Sequence, residues 1–506
     1  MQIPSRRSAC IVVFGLLIAA FSLSAIAASD SFDRKGWQDD YTFLKKQLES
    51  SYANLAWFAS KQGGTDIPAL DRRTQRALDQ AESDADAKAA LLAFVGGFHD
   101  GHFSQVAFLE PAITAASIEE PPKPALDKLD AIAGCAALGY VSTRNISFSL
   151  PFERLQNFTL ESDGVARAFR AGTIAMETGT RIGIVRIQVF RQREFPAICV
   201  KDWTVMQQAG HGIDTDALAD QIDQDWFEIL AAQLRQFKSA GAAAVIVDVG
   251  DNGGGNDSGD WSARLLSEKP VHSSRLWMAA ASDAKGYIDE QLNDLHKTLE
   301  SNPKTSAKTR GAAEKAIADF DRRKANIDAR YCDMTWVWRE QRAWNPAGCS
   351  RLIDVGYASG ALDYLPANEP GDARLVQKMY WAATVDAWRG AWSGPVYVLT
   401  NARTYSSAEM FAATMRNNEI AKIVGATTGG DGCGFMQAEN PVTLPHSRLR
   451  FRIPDCVRLR ADGSDEVAGI KPDLPVLPTE GESDRARAVR LLGLIEDNLH
   501  AAAKTK

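Results

Sequence analysis

Apolar positions change their period several times along this chain, and each change marks an element. Trp37, Tyr41, Leu44 and Leu48 recur at helical spacing on one face, and Ala85–Val95 keeps a helical pattern until Gly96-Gly97 stops it. From residue 105 to 178 the apolar runs shorten and are broken by Pro and Gly, so that Tyr140-Val141 and Ile146–Leu150 predict a small β-rich unit. Arg181–Ile187 predicts a clearer strand. Ile222, Trp226, Ile229, Leu230, Leu234 and Phe237 then share one face of a long helix that Gly241 ends. The continuous apolar run Ala243–Val249 has the pattern of a strand buried on both faces.

The order of helix, apolar strand and loop recurs at Val396–Thr400, a helix over Ala408–Asn417, and Ala421–Gly425, which predicts α/β architecture. Between the two halves lies an insertion over 281–385. Ile288, Leu292, Leu295 and Leu299 make one helical face, Asn302-Pro303 turns the chain, and Ala313, Ile317, Phe320 and Ile327 make another. This charged helical hairpin reads first as a solvated surface decoration and otherwise as a lid or a contact in a homo-oligomer. Trp336, Trp338 and Trp344 read as the core of a hairpin closed by Cys332 and Cys349. The resulting division is 1–27 leader, 28–104 helical region, 105–178 β-rich unit, 179–280 with 386–480 as an α/β core, 281–385 insertion and 481–506 C-terminal helix.

The leader has the composition of an export signal. Arg6 and Arg7 precede an apolar stretch, Cys10–Leu23, too short to span a bilayer, and Ala25-Ile26-Ala27 is a small-x-small cleavage site. Export to a periplasmic or extracellular compartment is the expectation, and no later apolar run is long enough for a membrane helix. Removing the leader's two arginines takes the formal net charge from −7 to −9, which argues against nucleic acid or an anionic membrane as partner. Six cysteines remain after the leader. Proximity pairs Cys332 with Cys349 and Cys433 with Cys456 and leaves Cys135 for Cys199, as suits an oxidising compartment. No pair has the CxxC spacing of a zinc site, and nothing calls for a metal or cofactor.

Three segments carry candidate chemistry. Thr404–Glu409 places Ser406 between a strand and a helix. Asp248–Gly255 ends a strand in glycines, whose backbone N–H groups can approach a developing oxyanion. Phe98–Phe103 supplies His102, with His99 beside it; the remaining histidines show no partner pattern. The rival to a nucleophile at Ser406 is a helix N-cap, a place that Ser406 or Ser407 could equally fill.

These residues resemble a known family. Asp248–Gly255 is similar to the Asp-x-x-x-Asn-Gly-Gly-Gly motif of tail-specific, or C-terminal processing, peptidases. Ser406-Ser407-Ala408-Glu409 with Ala421–Thr428 resembles the family's Ser-Ala-Ser-Glu and Ile-Val-Gly-x-x-Thr segments, and Gly469–Asp473 resembles its closing Gly-Val-x-Pro-Asp. The resemblance implies a crotonase-like β/α superhelix and acyl transfer through a serine, with a peptide or protein as substrate. The processing peptidases use a Ser-Lys dyad, but where their lysine stands this chain has Gly429-Gly430-Asp431-Gly432, and Asp431 reads as a turn residue. A second branch of the superfamily, which includes the tricorn core, uses a histidine from the N-terminal part and a glutamate just before the closing motif. His102 and Glu466 stand in those places.

The assignment that follows is Ser406 as nucleophile, His102 as general base and then acid, and Glu466 as the group that orients the histidine, directly or through another group. The oxyanion donors would be the N–H of Ser407 with that of Gly254 or Gly253. Ala137–Tyr140 weakly resembles the carboxylate-binding loop of a PDZ domain, which makes 105–178 a degenerate PDZ-like unit. The loss of the lysine also supports a catalytically silent ligand- or peptide-binding protein on the same fold, and the same triad would serve a non-peptide ester or amide.

Overall fold

Helical periodicity holds across the N-terminal region, which forms α1 (Arg34–Ser51), α2 (Leu55–Phe58), α3 (Ile67–Gln80) and α4 (Asp84–Gly96) before β1 (Ser104–Val106). The computed structural model describes residues 32–106, 126–142, 146–165, 168–210, 212–328, 332–345, 348, 351–366, 370–436, 441–460, 463–464 and 466–504. The expected leader and Cys349 lie outside the described residues. After α5 (Ala131–Ala137) come β2 (Phe158–Asp163), β3 (Arg170–Ala175) and β4 (Arg181–Arg186). The helices α6 (Pro196–Gln208) and α7 (Thr215–Ser239) lead to β5 (Ala244–Asp248) and the short α8 (Ser258–Ser262). The insertion runs from β6 (Arg275–Ala279) through the hairpin α9 (Ser282–Ser301) and α10 (Ala307–Ala325) to β7 (Leu352–Tyr357) and α11 (Ala373–Met379). The second half supplies β8 (Val396–Thr400), α12 (Ser407–Asn417), β9 (Ala421–Gly425), β10 (Val442–Thr443), β11 (Arg450–Arg452), β12 (Cys456–Leu459), β13 (Leu474–Pro475) and α13 (Asp484–Lys504).

The apolar strands share one seven-stranded sheet in the order β13-β9-β8-β5-β4-β3-β2. The strands from β13 to β4 are parallel, and β2 and β3 extend the sheet antiparallel. Side chains alternate across it. Val245 and Val247 join Trp226, Phe227 and Leu234 of α7 and Phe411 of α12 in one core, while Ala244 and Ile246 join Leu491, Leu492 and Ile495 of α13 in another. This double burial is why the β5 run carries almost no polar residue, and the sheet bears out the α/β expectation.

Residues 105–178 do not make a separate sheet among the described residues, since β2 and β3 belong to the central one. Ile146–Leu150, expected as a strand, runs along the sheet's end, where the Ser149 N–H and Oγ donate to Asp248 at 2.7 and 2.6 Å. Ala137–Tyr140 is the end of α5. Leu138 N–H bonds to Gly134 O and Tyr140 N–H to Cys135 O, with Gly139 at φ 83°, a helix stop for which glycine is suited.

Two further cores flank the sheet. The N-terminal helices bury Leu44, Leu91, Phe94 and Phe98 against Val337, Leu444, Phe451 and Val467 from the rest of the chain, and β1 pairs with β11. Trp336 packs in this core rather than closing a hairpin of its own, and Trp338 lies against it with its Nε1 donating to Glu49 at 2.6 Å. The helical hairpin is more than a decoration. Ala284, Tyr287, Ile288, Leu295 and Phe320 bury against Leu276, Met278 and Val355 of the sheet β12-β6-β7. Disulfides join Cys135 to Cys199 and Cys433 to Cys456, as expected; Cys332 is also disulfide-bonded. Among the described residues no helix is long and apolar enough to cross a membrane.

Candidate active site

The parallel strands β5, β8 and β9 point their carboxyl ends the same way, and the loops that leave them meet in one cleft. Open α/β sheets bind ligands at this edge. The cleft has a volume of about 1070 Å³, and Gly253, His102, Ser406, Ser407 and Asp431 line it.

Ser406 sits at the sharp turn from β8 into α12. Its backbone, at φ 52° and ψ −118°, lies in a region that side-chain-bearing residues rarely adopt. Three ties hold that strain. Thr404 Oγ1 donates to Val249 O at 2.9 Å, Tyr405 N–H donates to Asn252 O at 2.9 Å, and Ser406 N–H donates to Glu409 Oε2 at 3.0 Å. The buried Glu409 carboxylate also accepts from Thr428 Oγ1 at 2.5 Å and from the N–H groups of Gly430, Asp431 and Gly432 at 2.8, 2.9 and 3.3 Å. Burial pushes Glu409 up to about 7 against these donors, with Glu466 adding to the rise.

The glycine loop approaches Ser406 closely. A Cβ on Gly254 would lie 2.7 Å from Ser406 Cβ, and Gly254 has φ 98°, so only glycine fits. Its N–H is already engaged, donating to Asn252 Oδ1 at 2.8 Å. The Gly254 N–H is thus taken in this structure, and the missing side chain lets the loop close on Ser406. The N–H groups of Gly253 and of Ser407, the first residue of α12, have no hydrogen-bond partner among the described residues. Ser407 Oγ donates to Asn256 O and ties α12 to the loop.

His102 follows the end of α4. Its own N–H donates to Asp100 Oδ1 at 2.9 Å, and Tyr52 Oη donates to Asp100 Oδ2 at 2.6 Å. Burial pushes the Asp100 carboxyl above its ordinary value. From the other side, Asp431 Oδ1 accepts from Gly101 N–H at 2.8 Å, and Asp431 O lies 3.2 Å from His102 Nδ1. A carbonyl oxygen can only accept, which assigns the ring proton to Nδ1 and leaves Nε2 with a lone pair. Nδ1 also stands 3.9 Å from Asp100 Oδ1 and from Asp431 Oδ2. Among the described residues no hydrogen bond joins His102 to Ser406. His99 is exposed, at φ 58°, and is not part of the cleft lining.

Glu466 lies behind the serine rather than behind the histidine. It is fully buried, its Oε2 accepts from Arg458 Nε at 2.6 Å, and Arg458 Nη2 reaches Ser406 O at 3.5 Å. Among the described residues no hydrogen bond links Glu466 to His102; the carboxylates near the ring are Asp100 and Asp431. Sequence reasoning placed Asp431 as a turn residue and passed over Glu409 as a ligand of the turn. The Ser406-x-x-Glu409 spacing of a capping box was the available signal. By spacing alone Asp100, His102 and Asp431 could hold a cation, since their ligand atoms lie within 4.8 Å of one another. Both Asp100 oxygens and Asp431 Oδ1 are engaged by protein donors, which suits holding a histidine better.

A family model described as Peptidase family S41 matches residues 181–476. No curated protein matches the chain. Among solved structures, mature CPAF aligns with 92% of this chain and 98% of its own at 17% identity and a TM-score of 0.55. Mature CPAF complexed with lactacystin aligns with 92% of this chain and 99% of its own at 16% identity and a TM-score of 0.55. A putative peptidase from Parabacteroides merdae is similar over 92% of this chain and 96% of its own, at 14% identity and a TM-score of 0.43. At these identities the CPAF likeness is one of fold.

Proposed function

This chain belongs to peptidase family S41, a family of serine peptidases, and from that premise we propose that it cleaves peptide bonds through an acyl-enzyme on Ser406 activated by His102. The observation that carries the reading is the convergence in one cleft of a strained serine, two N–H groups without a partner among the described residues and a histidine with its Nε2 lone pair available.

In the first step Ser406 Oγ attacks the scissile carbonyl carbon while His102 Nε2 takes the hydroxyl proton. The carbonyl oxygen becomes an oxyanion between the N–H groups of Ser407 and Gly253. Each such donor contributes ~10²–10³ in rate, and the start of α12 adds its dipole. Asp431 O, with the Asp100 and Asp431 carboxylates at 3.9 Å, stabilises the imidazolium. The imidazolium then protonates the leaving amine as the C–N bond breaks. Water repeats the sequence on the ester and returns free Ser406 and an acid product. Hydrogen bonds between nucleophile and base are often long before substrate binds, so closure of Ser406 on His102 belongs to the complex. Glu466 acts through Arg458 on the Ser406 carbonyl. The disulfides support export to an oxidising compartment.

A fluorophosphonate probe followed by peptide mass spectrometry tests the assignment. Ser406 becomes labelled in the native protein, and both Ser406→Ala and His102→Ala lose labelling and at least ~10³-fold of turnover. Lactacystin, held by mature CPAF, is a second probe. Absence of labelling in the folded protein would move the assignment to a peptide-binding protein on the same fold.

A further inference from the structure

The cleft continues past Ser406 into a corner that the catalytic steps do not use. The bond from Ser407 Oγ to Asn256 O sets Asp257 beside the first turn of α12. Asp257 lines the cleft, and among the described residues its carboxylate makes no hydrogen bond and no ion pair. Tyr287, carried in by α9, lines the same cleft, is 2% exposed, and has a hydroxyl with no hydrogen-bond partner. A buried phenol ordinarily finds one. Burial first, and then the nearby Asp257 and Glu290 carboxylates, push this hydroxyl above its ordinary value. Burial pushes the Asp257 carboxyl up to about 6 against the pull of Arg458, which is itself bonded to Glu466. Met410, 1% exposed and one turn along α12 from Ser406, supplies apolar wall, and Trp261 on α8 adds its ring together with an Nε1–H that has no hydrogen-bond partner among the described residues.

A guest that completes this corner must bring a cationic donor on an apolar stem. A carboxylate would stand against Asp257, and an aliphatic side chain would desolvate both polar groups without replacing their hydrogen bonds. We infer that Asp257 and Tyr287 form a specificity subsite for a lysine or arginine side chain of the substrate close to the scissile bond. The inference rests on Ser406 as the reacting centre.

A binding arm keeps the test independent of turnover. In Ser406→Ala protein, alanine-based hexapeptides carrying one lysine, arginine, norleucine or glutamate are titrated by calorimetry. The lysine and arginine peptides bind at least about tenfold more tightly than the norleucine isostere, the glutamate peptide binds weakest, and adding Asp257→Asn closes the gap to about threefold or less. Tyr287→Phe, which keeps the ring, narrows it by a smaller factor. Equal binding of norleucine and lysine, no saturable binding of either basic peptide at millimolar concentration, or a gap that survives Asp257→Asn would overturn the subsite. In the turnover arm, native protein digests a mixed peptide library, and cuts cluster within two residues of lysine or arginine. Asp257→Asn lowers the ratio of basic to neutral cuts about tenfold, whereas a proportional loss on both overturns the inference. A native protein that neither labels nor cuts sinks the Ser406 assignment, and the binding arm then judges the subsite.

Discussion

At the scale of single residues the site turns on Glu409, whose carboxylate ties the serine turn to the 428–432 turn through five hydrogen bonds. Its folded value of about 7 stands above its ordinary 4.5, chiefly because burial penalises the charged form. The folded state therefore holds this proton more tightly than the unfolded state. The stability it contributes is fully present below about pH 4.5 and is lost as pH rises through about 7. Glu409→Gln removes that titration, so the melting temperature of the native protein minus that of the variant falls between about pH 5 and 8 in thermal melts across the range. The variant also turns an amide NH₂ toward backbone donors, and kcat drops about tenfold or more with a smaller change in KM. A difference that rises with pH would mean the five donors outweigh burial. Asp431 teaches a related lesson. In sequence it is an acid in a glycine turn; only the fold shows that its backbone carbonyl, which no side-chain pattern encodes, faces His102.

Among elements, those buried on two faces were the most legible. The runs at Ala244–Asp248 and Val396–Thr400, buried throughout, and Ala421–Gly425, buried over its last three residues, appear as strands, while α7 follows its apolar stripe and α12 is buried nearly all round. Short, partly exposed strands such as β2 and β3 do not encode which sheet they join, so the sequence alone sets them in a unit of their own. α3 is marked in the sequence by its cap Asp66 and by Pro68 in its first turn rather than by a long apolar stripe. The disulfides show how elements divide stability from function. Cys135–Cys199 closes a loop with a sequence separation of 64 and joins α5 to α6, while Cys433–Cys456, with a separation of 23, fixes the turn whose Gly434 packs on His102 to the strand that carries Arg458. Loop entropy ascribes about 4.3 kcal/mol to the first and about 3.4 kcal/mol to the second. Paired Cys→Ser variants should cross over: removing Cys135–Cys199 lowers the denaturation midpoint more, and removing Cys433–Cys456 slows fluorophosphonate labelling of Ser406 more. Equal slowing by both would show that the second bridge has no special hold on the site.

Across the whole molecule, the candidate site is assembled from parts of the chain that fold into different cores. Ser406 and the glycine loop stand on the central sheet, while His102 hangs from α4, whose core is completed by Leu444, Phe451 and Val467 from far along the sequence. The Asp431 turn bridges the two regions. Under the proposed mechanism the N-terminal helices are therefore both the carrier of the base and the cover for apolar surface on the second half. Deleting residues 28–104 and substituting His102 should then fail in different ways. His102→Ala leaves that surface covered, and the protein stays monodisperse with a melting temperature within a few degrees of native, yet is not labelled at Ser406. The deletion exposes Phe451 and its neighbours to water, so it sediments as aggregate or binds a hydrophobic dye even where the sheet core persists. Adding residues 28–104 as a separate chain during refolding tests whether the two cores recognise each other. Recovery of labelling with the native segment, and none with a segment carrying His102→Ala, assigns the base to the N-terminal region by complementation. Labelling that returns with both segments would mean that the region supplies only cover and that the base lies elsewhere in the cleft.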